Sequence, residues 1–198
     1  MRAGFAAGMI GILLALPGPA RSQTLSEALD QLRSGRYEEA LPLLQRLSRG
    51  ESGPPAVRRA LARALLEVGR YEDARAAVTG DGGEAVSLEV ENVLGEAHFA
   101  VGRIREAEES FRKAVDGGAS DAAVARMNLG VLLWNRGERD QALTLFDSFF
   151  DLYNSGQRLT AEELMAVGTA MRFFGGARDP VLYEDALLAF DDAAAADP

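Results

Sequence analysis

Few side chains in this sequence could carry out catalysis. The chain of 198 residues contains one histidine, His98, and no cysteine. It therefore lacks thiol nucleophiles, disulfides and cysteine-based zinc ligands, and no mechanism or metal site can use two histidines. His-Glu-x-x-His, Gly-x-Ser-x-Gly and glycine-rich phosphate-binding motifs do not occur in it. We expect no catalytic residues, no metal site and no cofactor, and therefore no enzymatic activity in this segment.

The remaining candidate groups have structural interpretations. The carboxylates at positions 106, 108 and 109 are typical of a solvated helix face. The pairs Gly117-Gly118 and Gly175-Gly176 are interpreted as turn glycines. His98 falls on a predicted helix, and we interpret it as a core or groove-lining side chain.

The composition is that of an acidic, folded protein. Hydrophobic residues make up 47% and charged residues 26% of the chain, and the formal net charge is −9. An acidic surface repels phosphate backbones, which argues against a nucleic-acid partner.

Residues 1–20 have the order of a secretory signal peptide. Arg2 is followed by an apolar run from Ala3 to Leu16 and then by Pro17-Gly18-Pro19-Ala20, so cleavage is expected after Ala20. No later stretch is long and apolar enough for a membrane span. We therefore predict an exported protein, periplasmic or extracellular, with an uncleaved N-terminal membrane anchor as the alternative.

The rest of the chain is repetitive. A six-residue segment that begins with glycine and ends with alanine occurs at Gly35, Gly69, Gly102 and Gly137, at spacings of 34, 33 and 35 residues. A fifth, shorter copy at 183–186 comes late, after an insertion at 175–180. Apolar residues recur at helical spacing on both sides of each glycine, so each unit is predicted to be two helices. The glycine would end the first helix in a left-handed conformation.

Other positions predict where helices begin. Thr24 with Glu27, and Thr160 with Glu163, have the spacing of a capping box. Asp179-Pro180 offers an N-cap followed by a proline in the first turn.

Three columns of residues recur from unit to unit. Small residues in the middle of each first helix suggest that two helices approach each other closely there: Ala28, Ala62, Gly95, Gly130 and Gly168. Alanines stand at the start of each second helix: Ala40, Ala74, Ala107, Ala142 and Ala186. Large apolar residues are expected to fill the gap between neighbouring units: Leu44, Val78, Phe111, Phe146 and Phe190.

This pattern resembles the tetratricopeptide repeat, a helix–turn–helix unit of 34 residues. The resemblance implies an all-α, right-handed α-solenoid with a concave groove. It covers about five repeats: 21–54, 55–87, 88–122, 123–160 and 161–198. The family's tryptophan in the first helix is missing, and the second repeat is weak, with Asp81 and then Gly82-Gly83.

In that family the first helices line the groove, and the register predicts which side chains point into it. The resulting partner-binding surface comprises Arg59, Arg63, Asn92, Glu96, Phe99, Met127, Val131, Trp134, Asn135, Met165, Arg172 and Phe173. Leu66 and Thr169 occupy equivalent positions of their repeats. An alternative stays open for Phe99, Met127 and Trp134, which could instead pack between helices. The family's clamp for a C-terminal carboxylate is not reproduced, because Val93 occupies one of its positions.

These features predict a non-catalytic, exported scaffold that binds a peptide or protein in its groove. The alternative is a recognition or assembly region of a larger envelope enzyme, such as a peptidase or cell-wall enzyme, with its catalytic domain beyond Pro198. A third interpretation is glycan binding, with Trp134 and Phe99 stacked on sugar rings. Leu187 and Phe190 should be partly uncovered at the last repeat, so we expect either a continuing array or self-association through this end.

Overall fold

The computed structural model describes residues 19–48, 54–79, 88–119 and 121–196. The predicted signal peptide therefore lies outside the described residues except for Pro19 and Ala20, with which the first helix begins. Asp81, Gly82-Gly83 and Pro198 also lie outside them.

The described residues fold into ten α-helices and no strands, as the repeat predicts. The helices alternate as the first and second members of five hairpins. Their bounds are α1 Pro19–Arg33, α2 Tyr37–Ser48, α3 Pro55–Glu67, α4 Tyr71–Thr79, α5 Leu88–Ala100, α6 Ile104–Asp116, α7 Ala122–Asn135, α8 Arg139–Asn154, α9 Ala161–Ala177 and α10 Leu182–Ala196.

Four of the five hairpins turn through the same backbone motif. The glycines Gly35, Gly69, Gly102 and Gly137 have φ between 69° and 86°, which confirms the predicted left-handed conformation. The N–H of each glycine bonds the carbonyl three residues earlier at 3.0 Å, and the next N–H bonds the carbonyl five residues before it at 2.8 to 2.9 Å. This pair of bonds is the Schellman motif, which satisfies the free carbonyls at the end of a helix.

Of the two predicted capping boxes, one is confirmed and the other is wrong. At α9, Thr160 Oγ1 accepts a hydrogen bond from the Glu163 N–H at 3.2 Å, and Glu163 Oε2 accepts one from the Thr160 N–H at 2.8 Å, so this capping box is confirmed. The predicted cap at Thr24 is wrong, because α1 begins at Pro19 and Thr24 lies inside it.

The last hairpin differs from the prediction at 175–180. Gly175 and Gly176 belong to α9 and are not turn glycines, whereas Gly118, with φ of +68°, is one. Gly175 is buried, and a Cβ on it would lie 3.4 Å from Leu182 Cβ, so α10 begins close against the end of α9. Asp179 Oδ1 accepts a hydrogen bond from the Val181 N–H at 3.1 Å, and the helix begins only at Leu182.

The columns of small and large residues meet inside each hairpin. A Cβ on Gly95 would lie 2.5 Å from the ring of Phe111, and a Cβ on Gly168 would lie 2.5 Å from the ring of Phe190. Gly130 is covered by Phe146 in the same way. The large column was expected to fill the gap between units. Phe111 packs within its own hairpin and also joins the core cluster that contains Leu129 of the next one.

The hairpins stack so that the first helices form an inner layer. The helices α1, α3, α5, α7 and α9 contact one another in sequence, and each second helix packs against the first helices on either side of it, except α10, which packs on α9 alone. Among the described residues, the second helices do not pack together, although Tyr153 donates a hydrogen bond to Asp192 at 2.9 Å between α8 and α10. The inner layer is therefore the shorter, concave side of the array.

Exposed ion pairs link successive hairpins along the outer edge. The Arg103 guanidinium lies 3.2 Å from a carboxylate oxygen of Glu72, and Arg136 pairs with Glu108 between the next two hairpins, at other positions of the repeat. In both cases an arginine of the turn contacts the second helix of the preceding hairpin.

Candidate functional site: the concave face

The inner layer presents the predicted groove residues in a regular register. They lie three residues before, and one, four or five residues after, the small residue in the middle of each first helix. These positions share one face of a helix, because the turns of an α-helix bring them together. The structure gives this face two chemically different parts.

The first part is a network of polar side chains that joins α3, α5 and α7. Arg63 forms an ion pair with Glu96. Glu96 Oε1 accepts hydrogen bonds from Asn92 Nδ2 at 3.3 Å and from Asn128 Nδ2 at 3.1 Å. Asn128 Nδ2 also lies 3.1 Å from Asn92 Oδ1, and Asn92 Nδ2 donates to Asp121 Oδ2 at 3.1 Å. We call these five residues the polar network.

Burial and charge act in opposite directions in this network. Burial raises the pKa of Glu96, and Asp121 and Glu162 also raise it, although Arg63 and the hydrogen bond from Asn128 act to lower it. Burial alone would lower the pKa of Arg63, but Glu96, Glu162 and Glu67 outweigh this and raise it. The guanidinium of Arg63 therefore stays charged, whereas burial makes the charged form of the Glu96 carboxylate less favourable.

Membership of the network limits which of its residues can meet a partner. Asn92 is only 3% exposed, so it positions its neighbours and cannot contact a partner directly. Sequence analysis missed Asn128 and Asp121 as members of this face. The sequence does contain an indication of Asn128, because this polar residue stands in a column that holds the apolar Ala60 and Val93 in the two preceding repeats.

The second part of the face is an aromatic cluster in the last two repeats. Trp134 meets Phe173 edge-on at 5.3 Å between ring centres, and Phe173 stacks on Phe146 at 5.2 Å. The guanidinium carbons of Arg139 and Arg172 lie 5.0 Å from the Trp134 ring centre and 5.2 Å from the Phe173 ring centre. We call Trp134, Phe146 and Phe173, with the two arginines over them, the aromatic cluster.

The structure shows which of the predicted groove residues are exposed and which are packed against the core. Trp134 and Met127 are half-buried against the core, which is the packing alternative, whereas Phe99 is 42% exposed. Met165 is 49% exposed, and Asn135 and Arg172 are exposed as well. Arg59 and Val131 are half-buried.

One apolar group on this face was missed. Leu29, which is 36% exposed, follows Ala28 as Arg63 follows Ala62, so it extends the same line into the first repeat. The register alone could have found it. The concave face is therefore apolar at Leu29, polar in the middle and apolar again around Met165.

His98 lies on a different side of α5 from the groove. It is half-buried among charged groups of α4 and α6, and its buried Nδ1 has no hydrogen-bond partner. Burial, together with Arg103 and Arg75, lowers its pKa. Within the described ranges, no group of histidine and acidic side chains could hold a metal ion.

The geometry defines a class of protein, an all-α solenoid of stacked helix hairpins. Two family models, both described as tetratricopeptide repeat, match residues 31–80 and 92–156, together more than half of the chain. The chain is therefore a tetratricopeptide-repeat protein.

Solved structures show the same fold at low sequence identity. Nearly identical TPR-like repeats of a putative kinesin light chain from Podosopora anserina superpose with a TM-score of 0.58 and 18% identity, covering 91% of this chain and 98% of that one. A crystal structure of MamA gives 0.52 and 18%, covering 84% and 92%, and another gives 0.54 and 17%, covering 87% and 89%. A search of the curated proteins finds no match. No helix of the described part is long and apolar enough to cross a membrane.

Proposed function

We propose that this protein is a non-catalytic, exported scaffold that binds a peptide or protein partner along its concave face. The observation that supports this most is the exposure of Phe99 and Met165 on the inner layer, at 42% and 49%. Large apolar side chains that are held on a rigid surface and open to water are typical of the centre of an interface.

The polar network supports the proposal by fixing α5, which carries Phe99, against α3 and α7. Three first helices are joined through Glu96, which is itself held by Arg63 and Asn128. A surface that is ordered before binding loses less conformational entropy when a partner arrives. The partner that fits is an extended or helical segment whose apolar side chains meet Phe99 and Met165.

Site-specific photo-crosslinking in cells of the source organism tests the groove. A photoreactive amino acid would replace Phe99, and a matched control would replace Tyr71, which is 40% exposed and lies on α4, outside the inner layer. We expect one discrete crosslinked partner at position 99 that is absent at position 71. The same partner at both positions, or crosslinking at position 71 alone, would contradict binding in the groove.

Export is tested separately by N-terminal sequencing of the protein recovered from cell fractions. Cleavage of the predicted signal peptide 1–20 should leave Arg21 as the first residue of the recovered protein. An intact N-terminus in the cytoplasmic fraction would contradict export and would leave the groove proposal standing.

A further inference from the structure

The outer face of α10 carries an exposed apolar stripe. Tyr183, Leu187, Phe190 and Ala194 follow one another at spacings of four, three and four residues, so they share one side of the helix. Leu187 is 64% exposed and Tyr183 is 44% exposed. Phe190 turns inward onto Gly168, and it is half-buried.

In the first and fourth hairpins the equivalent position is a leucine covered by a helix, whereas in the second and third it is the half-buried Arg75 or Glu108. Leu187 follows Ala186 as Leu41 follows Ala40 and as Leu143 follows Ala142. Leu41 and Leu143 are only 5% and 8% exposed, because α3 packs on α2 and α9 packs on α8. The stripe on α10 thus corresponds to a surface that a neighbouring helix covers at Leu41 and Leu143.

The charge around the stripe restricts what that helix can be. The segment Leu182–Ala196 contains four carboxylates and no basic residue. Glu184 and Asp191 stand three residues before and four residues after Leu187, so they border the stripe. Neither carboxylate has an ion pair within the part of the chain that the structure describes.

The same charges argue against a second copy as the occupant. Two α10 helices packed face to face would bring their carboxylates together. Head-to-tail stacking on α1 would meet Glu27 and Asp30, which are exposed at the positions of the buried Leu61 and Ala64. An anionic lipid surface would be repelled in the same way.

We infer that the α10 stripe binds an amphipathic helix of a partner protein that carries arginine or lysine beside its apolar face. Within the array, α3 is an apolar helix rich in arginine, although its Arg63 pairs with Glu96 of α5 and not with α2. α3 packs on α2 and carries three arginines, at positions 58, 59 and 63, against one glutamate. The inference concerns the last hairpin, and it is independent of the groove.

A synthetic peptide with the α3 sequence, residues 54–68, is a suitable probe for the full chain. It should be stapled, because an isolated helix of this length is marginal in water. Its matched control replaces the three arginines by glutamine. We expect the arginine peptide to bind about tenfold more tightly than the control at low salt, and this difference should shrink at high salt.

Two protein variants place the binding on the stripe. Leu187→Asp should weaken binding of the arginine peptide about tenfold or more, because the aspartate would be buried in the complex. The matched control is Leu188→Asp, since Leu188 is 57% exposed but lies outside the stripe on the same helix. That variant should bind within about twofold of the unchanged protein.

Several outcomes would overturn the inference. These are equal binding of the two peptides, no binding of either, or equal loss with both variants. Dimerisation of the full chain that Leu187→Asp abolishes would assign the stripe to a second copy instead. Binding that is lost on Phe99→Ala and retained on Leu187→Asp would move the peptide to the groove.

Discussion

The polar network and the aromatic cluster lie in neighbouring columns of the repeat and are held together in different ways. In the second and third repeats Arg63, Glu96 and Asn92 stand one residue after or three residues before the small residue, and Glu96 binds the other two through directed polar contacts. In the last two repeats Trp134 and Phe173 stand four and five residues after it, and Phe173 contacts Trp134 and stacks on Phe146.

Arg63, Glu96 and Val131 share one column, so a position in the repeat fixes where a side chain lies but not what it does. A buried carboxylate such as Glu96 must be satisfied by neighbours on other helices, so it couples the hairpins through geometry. An aromatic ring contributes mostly through the apolar area that it buries, so it tolerates small shifts between hairpins. The first region sets the register between repeats, whereas the second supplies packing energy.

The largest effect is expected from Phe146→Ala, which tests how much packing energy the aromatic cluster supplies. Phe146 is fully buried, covers Gly130 and stacks on Phe173, so its removal should cost about 3–5 kcal/mol of the free energy of unfolding. Urea unfolding measures this cost. The exposed Phe99→Ala is the control, with an expected change within about 0.5 kcal/mol. Similar losses for the two variants would mean that the aromatic cluster is not the main source of packing energy.

The next test compares two glycines in the same column. In Gly95→Ala the new methyl would lie 2.5 Å from Phe111, which is 2% exposed and cannot move aside, so the variant should lose about 1–3 kcal/mol. In Gly168→Ala the methyl meets Phe190, which is half-buried on the α10 stripe and has room to shift. The second variant should lose less, because Phe190 can shift, whereas the gain of about 1 kcal/mol in helix propensity of alanine over glycine is common to both variants. Equal losses would show that Phe190 is as rigidly held as Phe111.

An effect of similar size is expected from Asn128→Val, which imitates the apolar residue found at Val93. The substitution removes one hydrogen bond to Glu96 and one to Asn92, and it should cost about 1–3 kcal/mol. Thermal unfolding measures the loss. The double variant Asn128→Val with Glu96→Gln should recover part of it, because the carboxylate left without its donor is then gone. Strict additivity of the two substitutions would indicate that the network does not couple these repeats.

The smallest expected effect is on the pH dependence of stability, compared for Glu96 and His98, which lie on different sides of α5. Because the folded state raises the pKa of Glu96 above 4.5, the unchanged protein should gain stability over Glu96→Gln as pH falls towards 4.5. Because the folded state lowers the pKa of His98 below 6.5, the unchanged protein should lose stability relative to His98→Gln as pH falls below 6.5. Melting temperatures between pH 7.5 and 4.5 should therefore diverge in opposite directions. Parallel curves would contradict the environments described for both groups.

The sequence predicted the parts of this molecule that depend on local chemistry. The four turns follow from a glycine at a fixed place, and the close approach at Gly95 follows from a column of small residues, although the ring of Phe111 that makes it was expected between units. These features need only the backbone of one hairpin, so a single repeat contains the information.

The network could not be predicted in this way, because it depends on how hairpins rotate against each other. Asn92 and Asn128 are 36 residues apart and meet only when α5 and α7 are docked. The same holds for Trp134, whose partner Phe173 belongs to the next hairpin. The longer α9 was missed because its close contact with α10 holds Gly175 in a helix although glycine usually ends one.

The two-layer packing has a mechanical consequence. The inner helices are joined by direct packing, while the outer edge is bridged by exposed ion pairs such as Arg103 with Glu72. Exposed pairs of this kind contribute little in water and are weakened further by salt. Because α2, α4, α6 and α8 also pack on the first helix of the next hairpin, bending the array open would have to expose apolar surface, and added salt should soften it only slightly.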